Sequence, residues 1–328
     1  MAVMLNTGVI GVGSMGRNHA RVLSEISNLV GIADPDKKAG ESVSSKMGTQ
    51  YFKDYQDLLK EDIQAVSIAA PTNVHFEIAK DVMSKGVHPL VEKPMCLSLE
   101  DSEKMVKLAK DAGLTLAIGH IERHNPVVAF AKKALAGGAY GEAIALSARR
   151  VSSFPARIKD VGVIMDLGIH DVDVMRYLLG SEVESVFTQG KKMKHDVFED
   201  HANILLDFKN GTTGFVEINW LTPMKVRKLS LTCSKNFVEL DYVKQSLVIS
   251  SSSLMEYDPF NLYQVPLEYD IRKVSLQKEE PLKNELSDFL NAITRKKDPL
   301  VTGEDALMTM RAIMAAIESS KTKNRIEL

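Results

Sequence analysis

The amino-acid sequence predicts an α/β protein in two parts: an N-terminal doubly wound parallel sheet, and a C-terminal α+β domain built on a large, mostly antiparallel open sheet. Three observations carry this reading. Short apolar runs alternate with helix-period segments as far as Gly119. Gly11, Gly13 and Gly16, in G-x-G-x-x-G spacing, follow directly on the first apolar run. From about Val127 the alternation gives way to successive strand-like segments with hairpin signals such as Lys209-Asn210-Gly211. The predicted division is 1–122, 123–300, and a C-terminal helix in 301–328 packing back on the first domain.

The first apolar run contains Val9, Ile10 and Val12 and reads as a buried strand. In the turn after it, glycines stand where three demands exclude a side chain: a tight bend, close approach of a pyrophosphate to the backbone, and strand–helix contact. A helix beginning near Ser14 and Met15 aims its N–H groups and positive dipole end at that pyrophosphate. A second apolar run, Leu29 to Ala33, ends at Asp34, 18 residues after Gly16, where a carboxylate binds a ribose diol. Together these predict a Rossmann domain that binds NAD. A carboxylate at 34 repels the 2′-phosphate of NADP, while Lys37 and Lys38 leave NADP use open.

Residues 36–47 and 57–60 are predicted helices, and Ala65 to Ala70 a buried strand stopped by Pro71. A helix from about Asn73 carries Ile78, Ala79 and Val82 at helical spacing. Val87 to Val91 form the next strand and end in Glu92-Lys93-Pro94. Ser98 with Asp101 caps a helix running to about Asp111, and Leu114 to Gly119 supply another strand. Ligands of such sheets lie beyond the carboxyl ends of the strands. Asp34, Pro71-Thr72, Lys93 and His120 all fall there.

In the second part a helix to Ala136 and a Gly137-Gly138 break precede predicted strands at 142–151, 183–193, 202–208, 212–222, 226–232 and 237–249. One helix, about 166–179, interrupts them, and Ser250 to Ser253 read as a loop. Helices at about 282–296 and 303–320 close the chain, with Met308, Met310 and Met314 as core packing. A large sheet with few covering helices predicts a homodimer or homotetramer formed through that sheet.

The 328 residues suffice for two domains, and 45% hydrophobic with 26% charged residues is the composition of a globular chain. A net charge of −2 offers nothing to nucleic acid or to an anionic membrane. Cys96 and Cys233 lack metal or redox spacing, so no metal is expected and the predicted setting is reducing and cytoplasmic. The N-terminus lacks the order of a signal peptide. No apolar run approaches the roughly 20 residues that span a bilayer.

Two groups could carry chemistry. Lys93, at a strand end just before Pro94, can hydrogen-bond a substrate hydroxyl, or it can be a surface lysine paired with Glu92. Pro94 stiffens that turn, in either isomer. Asp166 and His170 lie four residues apart on a predicted helix, with Asp173 on the same side. They read either as an imidazole tuned by a carboxylate for acid–base work, or as a helix-surface ion pair. Leu167, Val174 and Leu178 form an apolar stripe that Asp171 interrupts. His75, His88, His195 and His201 show no ligand spacing and read as structural or solvated, and Lys191, Lys192 and Lys194 as an exposed strand end.

Gly11-x-Gly13-x-x-Gly16, Pro71-Thr72-x-x-His75, Glu92-Lys93-Pro94 and Asp166-x-Gly168-x-His170-x-x-Asp173 stand in the order found in the Gfo/Idh/MocA oxidoreductases. Glu280-Pro281-Leu282 and Gly303-Glu304-Asp305-Ala306 resemble that family too, so the likeness spans nearly the whole chain. It implies an NAD(P)-dependent sugar or cyclitol dehydrogenase. The implied cofactor-binding residues are Gly11, Gly13, Ser14, Met15, Gly16, Asp34, Pro71, Thr72, His75, Glu92 and Lys93, and the implied catalytic residues Lys93, Asp166 and His170. Many members carry a Gly-Gly pair ahead of the aspartate; here the run is Gly162-Val163-Ile164-Met165, a departure that bears on substrate fit. The segments 119–127, 154–158 and 220–228 are similar to the branch that oxidises UDP-N-acetyl-hexosamines at C3. By that likeness His120, Arg123, Asn125, Arg157 and Lys225 bind substrate, and Arg227 joins the cations available to a diphosphate. The alternatives are a free-sugar or inositol dehydrogenase, and a non-catalytic NAD-binding regulator.

Overall fold

The computed structural model describes residues 4–155, 161–254 and 267–328. The chain begins with β1 (Asn6–Ile10), α1 (Gly16–Ile26), β2 (Asn28–Ala33), α2 (Lys37–Met47), β3 (Gln50–Phe52) and α3 (Tyr55–Leu58). It continues with β4 (Ala65–Ile68), α4 (His75–Ser84), β5 (His88–Glu92), α5 (Leu99–Asp111) and β6 (Ala117–Gly119). All pairings are parallel and the order is β3-β2-β1-β4-β5-β6. The winding reverses between β1 and β4, which puts the ligand crevice at their carboxyl ends. Start signals in the sequence are realised as caps: Asp36 accepts from the N–H groups of Lys38 and Ala39, and Ser98 from that of Asp101.

After a short 3₁₀ turn (Ile121–His124) come α6 (Pro126–Ala136), β7 (Ala143–Val151), a π turn (Ile164–Gly168) and α7 (Ile169–Leu179). The strands β8 (Val183–Lys191), β9 (His201–Phe208), β10 (Thr213–Asn219), β11 (Val226–Cys233), β12 (Phe237–Asp241), β13 (Ser246–Leu254) and β14 (Leu267–Ser275) follow. Two helices, α8 (Pro281–Arg295) and α9 (Gly303–Thr322), and the short β15 (Ile326–Glu327) end the chain. The second sheet runs β14-β13-β12-β11-β7-β10-β9-β8-β15; β7 and β10 are parallel neighbours and the other pairings antiparallel.

Beyond β3, β14 and β15, which the reading of the sequence does not include, two strand assignments differ from it. Residues 237–249 are a hairpin of two strands, with Gln245 in its turn at a φ of 51°. Ser250 to Ser253 lie within β13, where Ser250 pairs with Ile271 of β14. Serine has little strand preference of its own, but a neighbouring strand supplies the ladder that satisfies its backbone.

Contacts divide the chain into two units, 1–124 with 279–311 and 125–278 with 312–328. The division differs from the predicted one after residue 278. Leu282, Leu286, Phe289 and Leu290 of α8 enter the same core as Val9, Leu23, Ile32 and Leu90, so the apolar face of α8 completes the first unit. Ala312 to Leu328 belong to the second unit, where Ser319 Oγ accepts from the Thr188 N–H at 2.9 Å and Ile326 pairs with Val186. Met310 is buried as core packing, while Met308 and Met314 are half-buried. Among the described residues no helix is long and apolar enough to cross a membrane.

Candidate active site

In the first unit the three glycines do three different things. Gly11 has a φ of +85°, and a Cβ there would lie 2.7 Å from the Ala70 nitrogen. A Cβ on Gly16 would lie 1.8 Å from the Gly11 carbonyl oxygen, but on Gly13 it would meet no atom within 4 Å. Gly11 and Gly16 therefore let the turn close, and Gly13 leaves one side of it open to a ligand. α1 starts after Met15 with no side chain capping it, so its positive end faces that side. The Asp34 carboxylate is tethered across the turn, accepting from the Val12 N–H at 2.7 Å and the Asp36 N–H at 2.8 Å. Glycine cradle, bare helix start and fixed carboxylate fit a pyrophosphate and a ribose diol. Gly13→Ala should therefore leave thermal stability within about 0.5 kcal/mol of wild type while weakening NAD binding in a fluorescence titration. Gly16→Ala should cost about 1–3 kcal/mol or more by overpacking in the same melt.

The other strand ends of this unit separate two kinds of residue. Pro71 is extended and Thr72 opens a 3₁₀ turn before α4. His75 is 1% exposed; its Nε2 lies 2.9 Å from the Ala70 carbonyl, and its Nδ1 3.0 Å from that of Pro94. Burial pushes its pKa down against the pull of these carbonyls. The ring ties the loop after β4 to the loop after β5. Glu92 is likewise directed inward: Oε1 is 2.8 Å from His19 Nε2, and Oε2 accepts from the Lys93 N–H at 3.1 Å. Burial is the largest influence and opposes its charge, but His19, Lys93 and His75 together outweigh it and hold Glu92 below the usual carboxylate range. Both residues, implied to touch cofactor, make contacts within the protein that brace the loops after β4 and β5. Lys93 is half-buried and its bond to Pro94 is cis. His120 is buried just past β6, and Arg123, 3% exposed, forms an ion pair with Asp305. That pairing commits the arginine expected to bind substrate.

In the second unit Asn125 caps α6 through the Val127 N–H and donates to the Tyr242 carbonyl at 3.1 Å, a structural use for another residue expected to bind substrate. Asp166 does not share one regular helix with His170. It lies in the π turn, which α7 follows, so the simple i, i+4 relation is widened at this point. Backbone and carboxyl groups of Glu199 hold that turn: its carbonyl accepts from the Val163 N–H at 2.9 Å and its Oε1 from the Ile164 N–H at 3.2 Å. Burial pushes Glu199 above its ordinary pKa. No spacing in the sequence marks Glu199, because its partners are backbone groups some 35 residues away. Gly162 belongs to the same arrangement: a Cβ there would lie 2.1 Å from a Glu199 carboxyl oxygen.

Asp171, the break in the apolar stripe, is explained by a partner equally hidden in the sequence. Arg150 Nε donates to it at 2.7 Å and Nη2 at 3.1 Å, and both side chains are 1% exposed. The guanidinium also lies 5.1 Å from the Tyr242 ring centre. Lys225 is exposed immediately before β11, whose first residue, Val226, pairs with Val151 at the end of β7. Arg157 lies outside the described residues. Neither cysteine is a nucleophile: both are buried and free, and burial pushes the Cys96 thiol up to about 12.

The oxidoreductase family of GFO/IDH/MocA proteins, with an NAD-binding Rossmann fold, matches residues 5–120, and the GFO/IDH/MocA C-terminal domain matches residues 128–239. The chain belongs to the GFO/IDH/MocA family. A UDP-N-acetylglucosamine 3-dehydrogenase of Acidithiobacillus ferrooxidans is 31% identical over 97% of this chain and 98% of its own. Its solved structure superposes with a TM-score of 0.88 at 30% identity, covering 98% of each chain. The NAD(+)-dependent scyllo-inositol 2-dehydrogenase of Bacillus subtilis is 26% identical over 100% of this chain and 97% of its own. The myo-inositol 2-dehydrogenase of Thermotoga maritima is 26% identical over 99% and 98%. As a GFO/IDH/MocA protein the chain is an NAD-dependent oxidoreductase acting on CH–OH groups, and the glycine cradle and Asp34 form the part of it that suits NAD.

Proposed function

We propose that the protein is a sugar or polyol dehydrogenase, and that it oxidises C3 of a UDP-N-acetyl-hexosamine such as UDP-N-acetylglucosamine to the ketone. The observation that carries the substrate is the end-to-end likeness to a UDP-N-acetylglucosamine 3-dehydrogenase, 31% identical against 26% for the inositol enzymes. NAD+, when bound, takes the hydride from the carbinol carbon. His170, helped by Lys93, takes the hydroxyl proton as the carbonyl forms, and Asp166 orients and tunes the pair. Pro71 and Thr72 border the nicotinamide side, with Ser14 and Met15 at the pyrophosphate. For a diphosphate the chain offers the cations Lys225, Arg227 and Arg157. Asp34 makes NAD the cofactor in preference to NADP, in a cytoplasmic enzyme.

One side of the large sheet favours a homo-oligomer. Phe187, Leu205 and Phe215 pair across β8, β9 and β10 in one row, and Leu205 is 50% exposed. A second copy of the chain covering this row yields the dimer or tetramer.

The deciding assay compares UDP-N-acetylglucosamine with myo-inositol, NAD+ saturating and NADH absorbance recorded. Two charge-assisted contacts at about 1.5–3 kcal/mol each make kcat/KM for the nucleotide sugar greater by about a hundredfold or more. Equal or greater turnover of myo-inositol establishes the second reading, which the two inositol relatives favour.

A further inference from the structure

The first unit contains a buried cluster with no part in the chemistry above. Glu285, on α8, is 2% exposed, and no donor reaches either of its carboxyl oxygens. One carboxyl oxygen of Glu285, one of Glu92 and a ring nitrogen of His19 lie within 4.8 Å of one another. His19 and Glu92 are already joined at 2.8 Å, and the second ring nitrogen of His19 is 2.7 Å from Ser67 Oγ. The free side of Glu92 accepts from the Lys93 N–H. Four elements thus converge on a chain of contacts, Ser67–His19–Glu92–Lys93 N–H, with Glu285 alongside it.

Two carboxyl groups this close and this buried do not both ionise. Glu92 has donors in His19 and the Lys93 backbone; Glu285 has none, so the proton resides on Glu285. The surrounding charges agree. Burial foremost, then Glu92 and Asp288, hold Glu285 well above the ordinary carboxylate range. Lys93 and His75 act on Glu92. On α1, Arg21 and Glu25 engage Glu280 and Lys283 at the exposed start of α8, and on the 121–124 turn Arg123 pairs with Asp305. A divalent cation would need the His19 Nε2 position that Glu92 already occupies.

We propose that Glu285 is a positioning residue for Lys93: a neutral acid that faces Glu92, offers its own proton to that carboxylate, and so keeps Glu92 on the Lys93 backbone N–H. The link to turnover rests on the role assigned to Lys93; the protonation of Glu285 does not. When Glu285 ionises, repulsion drives Glu92 off that N–H.

Glu285→Gln and Glu285→Leu test this in the full-length protein. Glutamine is neutral and can donate to Glu92, so Glu285→Gln keeps kcat within about twofold and loses the infrared carbonyl band of a protonated buried acid. In wild type the native state keeps a proton that the unfolded state releases above the ordinary glutamate pKa of 4.5. Wild-type stability therefore falls with rising pH relative to Glu285→Gln, and the two Tm values draw together below pH 4.5. Glu285→Leu lowers kcat by about tenfold to a hundredfold with the NAD dissociation constant unchanged. A wild-type spectrum without the band, a Tm difference independent of pH, stoichiometric divalent metal in the purified protein, or full kcat in Glu285→Leu each overturns the proposal. Infrared and melting need no substrate, and Lys93→Ala reports separately on the site reading, so the two failures are distinguishable.

Discussion

Lys93→Ala and His170→Ala should each lower kcat by about 10²- to 10⁴-fold, the range for loss of a positioned acid–base group. NAD binding should stay within about twofold of wild type, because the glycine cradle and the Asp34 carboxylate do not involve either side chain. Steady-state NADH formation and a fluorescence titration of the cofactor read the two quantities separately. Wild-type turnover in both variants removes the assigned roles. Loss of NAD binding together with turnover assigns Lys93 to cofactor retention alone. The alanine variants also bear on the regulator alternative: a protein that binds NAD tightly and turns over no sugar or polyol before mutation has no kcat to lose.

The second large effect is on stability. Asp171→Ala should destabilise the protein by about 3–5 kcal/mol, because it leaves the Arg150 guanidinium, 1% exposed, without its bidentate carboxylate. Lowered Tm and urea midpoint measure it. Replacing both partners by apolar groups, Arg150→Met with Asp171→Leu, should recover most of the loss, since a buried ion pair broken at one partner costs more than one replaced whole. A double variant as unstable as Asp171→Ala alone would place the cost in packing, with the Tyr242 ring 5.1 Å from the guanidinium as the contact to examine next.

Much of the cofactor half was legible from residues in order. Gly11, Gly13, Gly16 and Asp34 lie within one β-α-β unit, so their spacing along the chain is also their spacing in space. The caps at Asp36 and Ser98 are equally local. What the motifs did not distinguish was direction. Glu92 and His75 occur in family motifs implied to hold cofactor, and both make contacts within the protein that hold loops. A strand end offers two faces, and composition alone does not say which one a polar residue takes. Arg123 and Asn125 are further cases: residue types suited to a diphosphate sugar are engaged by Asp305 and by the start of α6.

By itself, the order of residues determined the layered α/β class, the parallel first sheet, the antiparallel character of the second, the glycine turn and its acid, and the family to which the chain belongs. All of these follow from short-range periodicity and spacing, which backbone geometry enforces locally. Tertiary structure alone decided the partners of Asp171 and Glu199, the placing of Glu285 beside Glu92, the return of α8 to the first core, and the pairing that turns Ser250 to Ser253 into strand. The physical reason is common to them. A buried charge or an unpaired backbone group is tolerated only where a distant segment supplies a counter-charge, a proton or a ladder, and sequence separation does not encode which segment arrives.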